Sequence, residues 1–214
     1  MRITTLTLIA ACTLFAAAPS IAAQKSSAPA VSNTKAALQL HDAMRKLWTD
    51  HVVWTRDYIV AAVDGTTDAE AAETRLMKNQ EDIGNAVAAY YGKAAGDQLT
   101  ALLKQHIAIA VDLIKAAKGG DKAAQKQADD KWQQNALDIA TLLSKANPNW
   151  PKEALVSMMK THLSTTTNEV VARLTKDWSG DVKAYDAVYA HILMMADTLT
   201  DGIVKQFPEK FRAS

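Results

Sequence analysis

Leu99-Thr100-Ala101-Leu102-Leu103-Lys104-Gln105-His106-Ile107-Ala108-Ile109-Ala110-Val111-Asp112-Leu113-Ile114 is the stretch on which the reading of the fold turns. Leu99, Leu102, Leu103, Ile107, Ala110, Val111 and Ile114 recur at intervals of three and four, the period of one helical face. The same spacing returns in Leu40, Met44, Leu47, Trp48 and Val52, and again in Leu155, Met158, Met159 and Leu163. The β-branched alternation of a sheet is scarce. With only 8 Gly and 5 Pro in 214 residues, long uninterrupted helices are available.

Outward from this stretch the pattern predicts helices over 33–64, 67–91, 96–118, 121–146, 151–178 and 181–207. The fold class is therefore all-α, a six-helix bundle. The punctuation agrees. Gly65-Thr66-Thr67-Asp68 separates the first pair, and Thr67 and Glu70 have capping-box spacing. Gly92 and Gly96 bracket the next joint, and Gly119-Gly120-Asp121 and Asn147-Pro148-Asn149-Trp150-Pro151 make further breaks. Pro151 suits a first-turn position. Ser179-Gly180-Asp181 precedes the last helix, and Pro208 ends it.

A threefold echo runs through these segments. Leu47-Trp48-Thr49-Asp50-His51, Leu102-Leu103-Lys104-Gln105-His106 and Met158-Met159-Lys160-Thr161-His162 share their outline. Asp57, Asp112 or Asn168 follows each histidine by six residues. The second helices echo in turn: Asn79-Gln80-Glu81-Asp82-Ile83 parallels Asn135-Ala136-Leu137-Asp138-Ile139. In His191-Ile192-Leu193-Met194-Met195-Ala196-Asp197, either Met194 or Asp197 matches Asp138, depending on where a gap is placed. Three repeated helical hairpins follow, each covering the apolar face of the next. In a linear stack the three histidines would be far apart; in a closed arrangement they would converge.

Residues 1–23 read as a secretory signal peptide: Arg2, an apolar run, the break at Pro19, and small residues at the cleavage point. A flexible tether over 24–32, the helical domain over 33–211 and a short tail over 212–214 complete the layout. The expected location is periplasmic or extracellular. A lipoprotein anchored through Cys12, in Ile9-Ala10-Ala11-Cys12, is the alternative. Otherwise Cys12 departs with the leader, and disulfide and thiolate chemistry go with it. Removal of Arg2 leaves basic and acidic residues balanced at 23 each. That balance excludes the basic footprint of a nucleic-acid binder, and no transmembrane anchor is expected after cleavage. A small ligand or a protein is the partner expected.

The candidate chemistry centres on His51, His106, His162, His191 and Met194 as ligands for copper or zinc. Imidazole suits either ion, and thioether sulfur favours Cu(I). His191 with Met194 or Met195, and His162 with Met158 and Met159, lie at spacings that share a helical face. These residue types equally fill cores and join buried hydrogen-bond networks. Asn79, Asp82, Asn135 and Asp138, with Asp57 and Asp112, could form a polar seam. His41, Arg45, Trp48 and His51 could line an aromatic anion pocket. HExxH, Glu-x-x-His, CxxCH, EF-hand, G-x-S-x-G, Walker and Rossmann patterns are all absent.

Leu40-His41-Asp42-Ala43-Met44-Arg45-Lys46-Leu47-Trp48, Asp50-His51, Trp54-Thr55-Arg56, Asn79–Asn85, Tyr90-Tyr91-Gly92, Ala146–Pro151, His191–Asp197 and Gln206–Phe211 carry a resemblance. Over residues 38–211 the chain resembles a group of exported bacterial helical proteins without an assigned activity. Some members are labelled glycosyltransferase or acetylglutamate kinase. Those activities are usually carried by α/β folds with sugar-nucleotide or phosphate sites, so the resemblance implies no catalytic set here. Gln105 stands where related chains are often acidic. The reading that follows is an exported structural or ligand-binding module. A periplasmic copper- or zinc-binding protein and a metal-dependent hydrolase are the alternatives.

Overall fold

The computed structural model describes residues 34–212. The expected leader, its Cys12 and the tether lie outside the described residues. Six helices follow one another: α1 (Lys35–Asp64), α2 (Ala69–Tyr91), α3 (Lys93–Gly119), α4 (Lys122–Ala146), α5 (Lys152–Leu174) and α6 (Trp178–Gln206). A 3-10 turn, η1 (Pro208–Phe211), is the last element among the described residues. No described helix is long and apolar enough to cross a membrane.

Each helix packs on its neighbour in sequence, and α6 returns to pack on α1. The bundle is thus a closed ring of three hairpins. α1 also touches α3 and α5 directly, so the odd-numbered helices meet inside. Their stripes bury Met44, Trp48 and Val52 from α1, Leu99 and Leu103 from α3, and Leu155, Met159 and Leu163 from α5. Fully burying one such side chain contributes roughly 1.5–3 kcal/mol. The ring therefore rests on tertiary burial more than on helix propensity.

Most boundaries fall where the punctuation puts them, and four details differ. Gly96 does not bracket a joint: the break is Gly92 alone, at φ 84°, and α3 starts at Lys93. Gly96 sits inside α3 because α2 and α3 nearly touch there; a Cβ on it would lie 2.6 Å from the Gly84 carbonyl oxygen and 2.6 Å from the Ala88 Cβ. The α5–α6 break lies earlier than Ser179-Gly180-Asp181. Lys176 takes φ 60°, and the Asp177 carboxylate accepts from the Gly180 N–H, which places Gly180 in the first turn of α6. The Thr67–Glu70 capping box does not form, since α2 starts at Ala69 after Asp68. Pro151 stands one residue ahead of the first turn, at the N-cap.

The α2–α3 crossing yields a direct expectation. Gly96→Ala gains helix propensity but forces backbone against backbone, and overpacking of this kind costs about 1–3 kcal/mol. Its urea midpoint should fall below that of the parent with an unchanged slope; a raised midpoint would show that the crossing has slack.

Candidate functional site

His51, His106 and His162 occupy equivalent points of α1, α3 and α5, and the closed ring brings them together. Ring centroids of His51 and His162 are 5.7 Å apart, and those of His106 and His162 are 6.0 Å apart. His191 of α6 joins at 6.3 Å from His162, nearly parallel to it at 18°. All four side chains are buried. Met194, the fifth candidate ligand, does not join them: it is 51% exposed on the outer side of α6.

One hydrogen bond recurs in every hairpin. Asn79 Nδ2 donates to the Leu47 carbonyl at 2.9 Å, Asn135 Nδ2 to the Leu102 carbonyl at 3.0 Å, and His191 Nε2 to the Met158 carbonyl at 2.9 Å. Each acceptor lies four residues before its hairpin's histidine. His191 is thus the third counterpart of Asn79 and Asn135. The ungapped alignment of the second helices follows, and Met194, not Asp197, matches Asp138.

The same helices hold two of the imidazoles from the side. Gln80 Nε2 donates to His51 Nδ1 at 3.3 Å, and His106 Nδ1 donates to Asn135 Oδ1 at 2.8 Å. Both pairs are separated by 29 residues. Trp132 Nε1 then donates to His106 Nε2 at 3.1 Å, which fixes His106 as the neutral tautomer with its hydrogen on Nδ1. His162 is different: its buried Nδ1 has no partner.

Burial keeps the layer uncharged. It pushes His51 down to about 3, helped by neighbouring His106, and His106 down to about 4. His162 lies well below its ordinary value through burial and the other three histidines, and His191 is lowered by burial.

The layer divides the interior in two. On one side lie the N-terminal halves of α1, α3 and α5 and an apolar void of about 30 Å³, filled in around by Met44, Trp48, Trp150, Met158, Met159 and Met195. On the other side is a cavity of about 570 Å³. Its walls are mainly apolar (Leu76, Ile107, Val111, Ile114, Val170, Leu174), and small residues such as Thr55, Ala110, Ala117 and Thr166 leave it unfilled. Lys122, Gln125, Lys126 and Thr175 stand on the α4 and α5 ends of this lining. The α4–α5 seam is the most sparsely packed around the ring, and no ion pair or side-chain hydrogen bond crosses it among the described residues.

No family model, curated protein or solved structure matches this chain.

Two other expected constellations dissolve. The polar seam fails because Asp57, Asp112 and Asp138 are exposed, while only Asn79 and Asn135 turn inward. The anion pocket fails because the protein fills it: Arg45 donates to both Asp197 oxygens at 2.7 and 2.6 Å, His41 Nε2 lies 3.2 Å from the same carboxylate, and Trp48 is in the core. Among the described residues, no three His, Cys, Asp or Glu side chains are arranged to hold a metal ion. Sequence reasoning missed Gln80 and Trp132 as histidine partners; the recurring 29-residue offset was the signal that could have found Gln80. It also missed the ion-pair cluster in which Arg56 engages Asp181 and, at 3.0 Å, buried Glu169. Burial raises Glu169 to about 7 against the pull of Arg56, and Arg56 holds Asp181 below its usual range.

The neutral layer makes stability acid-sensitive. Above about pH 6.5 folded and unfolded histidines are both neutral. As pH falls, the unfolded chain takes up protons that the fold refuses, and the loss continues down to about 4 for His106 and about 3 for His51. Each such histidine costs about 1.4 kcal/mol per pH unit in that window. Glu169 acts oppositely, losing its contribution as pH rises from 4.5 to about 7, and buried Asp201, also raised, acts in the same sense, but these are two groups against a layer of four histidines. Urea unfolding from pH 6.5 to 4.5 should therefore show steeply falling stability, and His51→Gln should reduce that slope by about one proton. A slope unchanged in the variant would mean that His51 is not the neutral buried group described.

Proposed function

We propose that the protein is an exported module that binds a small, largely apolar molecule in the cavity beneath the histidine layer. The observation that carries this reading is the cavity itself. Its volume of about 570 Å³ falls within the range of small-molecule sites, its walls are mainly apolar, and a few polar groups converge at one end. A purely structural bundle of this size would gain by closing these apolar walls on one another, since apolar surface left facing water forfeits about 25 cal/mol per Å². The loose α4–α5 seam supports a route in. The leader expected over residues 1–23 supports a location outside the cytoplasm, in the periplasm or beyond.

Ala110→Phe tests the reading, because Ala110 lines the cavity and is not part of the hydrogen-bonded layer. An environment-sensitive apolar dye should bind the parent with saturable, stoichiometric enhancement. In the variant, binding should weaken about tenfold or more while the helical circular dichroism stays intact. Equal binding by both proteins would place the dye elsewhere and remove the support.

A second reading is a soft metal ion, copper(I) or zinc, on His51, His106, His162 and His191. What favours it is that burial keeps these imidazoles unprotonated, the state that ligates metal, and that Met44, Met158, Met159 and Met195 lie on their far side. The four rings do not stand in a metal-holding arrangement among the described residues, so this reading requires them to draw together, with Trp132 releasing His106. Under this reading the chelator-treated chain takes up one equivalent of Cu(I) or Zn(II), and His162→Gln with His191→Gln abolishes the uptake. Under the organic-ligand reading uptake is weak and insensitive to both changes.

A further inference from the structure

We infer that His162 is the imidazole that contacts the ligand, and that the cavity takes a neutral molecule with an apolar body and a terminal hydroxyl or carbonyl group. This rests on the cavity reading above and names the class of ligand.

The third hairpin departs from the other two at one point. His51 and His106 each have Nδ1 engaged by the neighbouring helix, from residues 29 positions on. The residue at that offset from His162 is His191. Its Nε2 is committed to the Met158 carbonyl, and its ring lies alongside His162 without a hydrogen bond between them. His162 is thus the one member of the central trio whose ring is not tied sideways, and its Nδ1 is left unpartnered although the side chain is only 5% exposed. Leaving a buried polar atom unpaired is costly, so a retained one calls for an explanation outside the chain's own hydrogen bonds. Tyr58 also lines this cavity, but its ring borders the neighbouring cleft of Glu70 and Glu73 as well, so the unpartnered group assigned to the cavity is His162 alone. An unpartnered imidazole nitrogen in the wall of a largely apolar cavity is the pattern of a site that receives a ligand's polar atom.

The charge distribution narrows the chemistry. The formally charged residues in the lining are Lys122, Lys126 and Asp129, all in the first turns of α4, and Lys126 is already paired with Asp130 at 2.6 Å. At the histidine end the lining holds imidazoles, threonine hydroxyls and the Trp132 indole, with no formal charge. A carboxylate or ammonium driven to that end would be buried without a counter-ion, which is strongly unfavourable. A hydroxyl both donates and accepts, so it can satisfy His162 whichever ring nitrogen carries the hydrogen, and a carbonyl can accept from the ring N–H.

The test compares three ten-carbon chains, 1-decanol, decanoate and decylammonium, titrated into the full chain at pH 7 by calorimetry. Imidazole nitrogen resonances are followed in parallel by NMR. Decanol is expected to bind about tenfold or more tightly than either ion and to shift the His162 nitrogens most. His162→Phe, which keeps a ring but removes both nitrogens, should lose most of decanol's advantage, and His162→Gln should restore part of it. Because the NMR readout uses the unaltered chain, it holds even if a variant folds poorly. Equal binding of all three chains, or a decanol response that bypasses His162, overturns this inference and leaves the cavity reading standing. Failure of all three, together with failure of the apolar dye, overturns both.

Discussion

A single contact organises this bundle: a side chain on the second helix of each hairpin donates to the carbonyl four residues ahead of the histidine on the first. Asn79, Asn135 and His191 make it in turn. It sets the register of each hairpin, because sliding one helix past the other by a residue would strand a buried amide or imidazole, a loss of about 1–3 kcal/mol per group. With three registers set alike and the ring closed by α6 on α1, the three inward histidines arrive at the same level. Their convergence is thus a product of the backbone contact, not of attraction among the rings. Mutual contact instead works against charging His51 and His162.

The layer also decides where the bundle is solid and where it is hollow. Before the histidines, large side chains meet: Met44 and Trp48 from α1, Leu99 and Leu103 from α3, Leu155 and Met159 from α5, with Trp150 wedged from the α4–α5 joint. After the histidines the lining has Thr55, Ala110, Ala117 and Thr166 where comparable bulk would be needed. Protein interiors are ordinarily packed to crystal-like density. One half obeys that rule and the other does not, within helices that are continuous from one half to the other.

The helical architecture was largely legible in the sequence because it depends on three- and four-residue spacing and on strong local breaks. The errors at Gly96 and Gly180 share one cause. Glycine by itself signals the end of a helix, whereas Gly96 serves a close helix crossing and Gly180 a capped first turn. The repeat was legible as well, including His51, His106 and His162 as equivalent positions. Their convergence was not, since equivalence leaves open whether hairpins stack in a line or close into a ring. Met194 was misplaced because a residue three positions from a histidine shares its general side of a helix but not its burial. The partners Gln80 and Trp132 were hidden for a related reason: a buried hydrogen bond between helices depends on crossing geometry that periodicity on either helix alone does not contain.

The ends of the hollow half are restrained unequally, and this bears on how anything enters. α5 is held to α1 and α6 by charge: Arg56 bridges Glu169 and Asp181, and Arg173 reaches Asp64 and, at 3.4 Å, Asp181. Buried ion pairs add little net stability but are expensive to break singly, so they resist movement of α5 away from those two helices. α4 has no such tie to α5. It is fastened to α3 at Trp132 and Asn135, level with the histidines, and its joint to α5 is closed at the opposite, packed end by Asn147 and Trp150. The turns of α4 ahead of Trp132 carry Lys122, Gln125, Lys126 and Asp130, whose contacts lie within α4 itself. Fewer contacts and fewer buried groups make those turns the least costly part of the wall to displace. The cavity is therefore walled by a fixed α5 and by the half of α4 that least opposes the passage of a molecule.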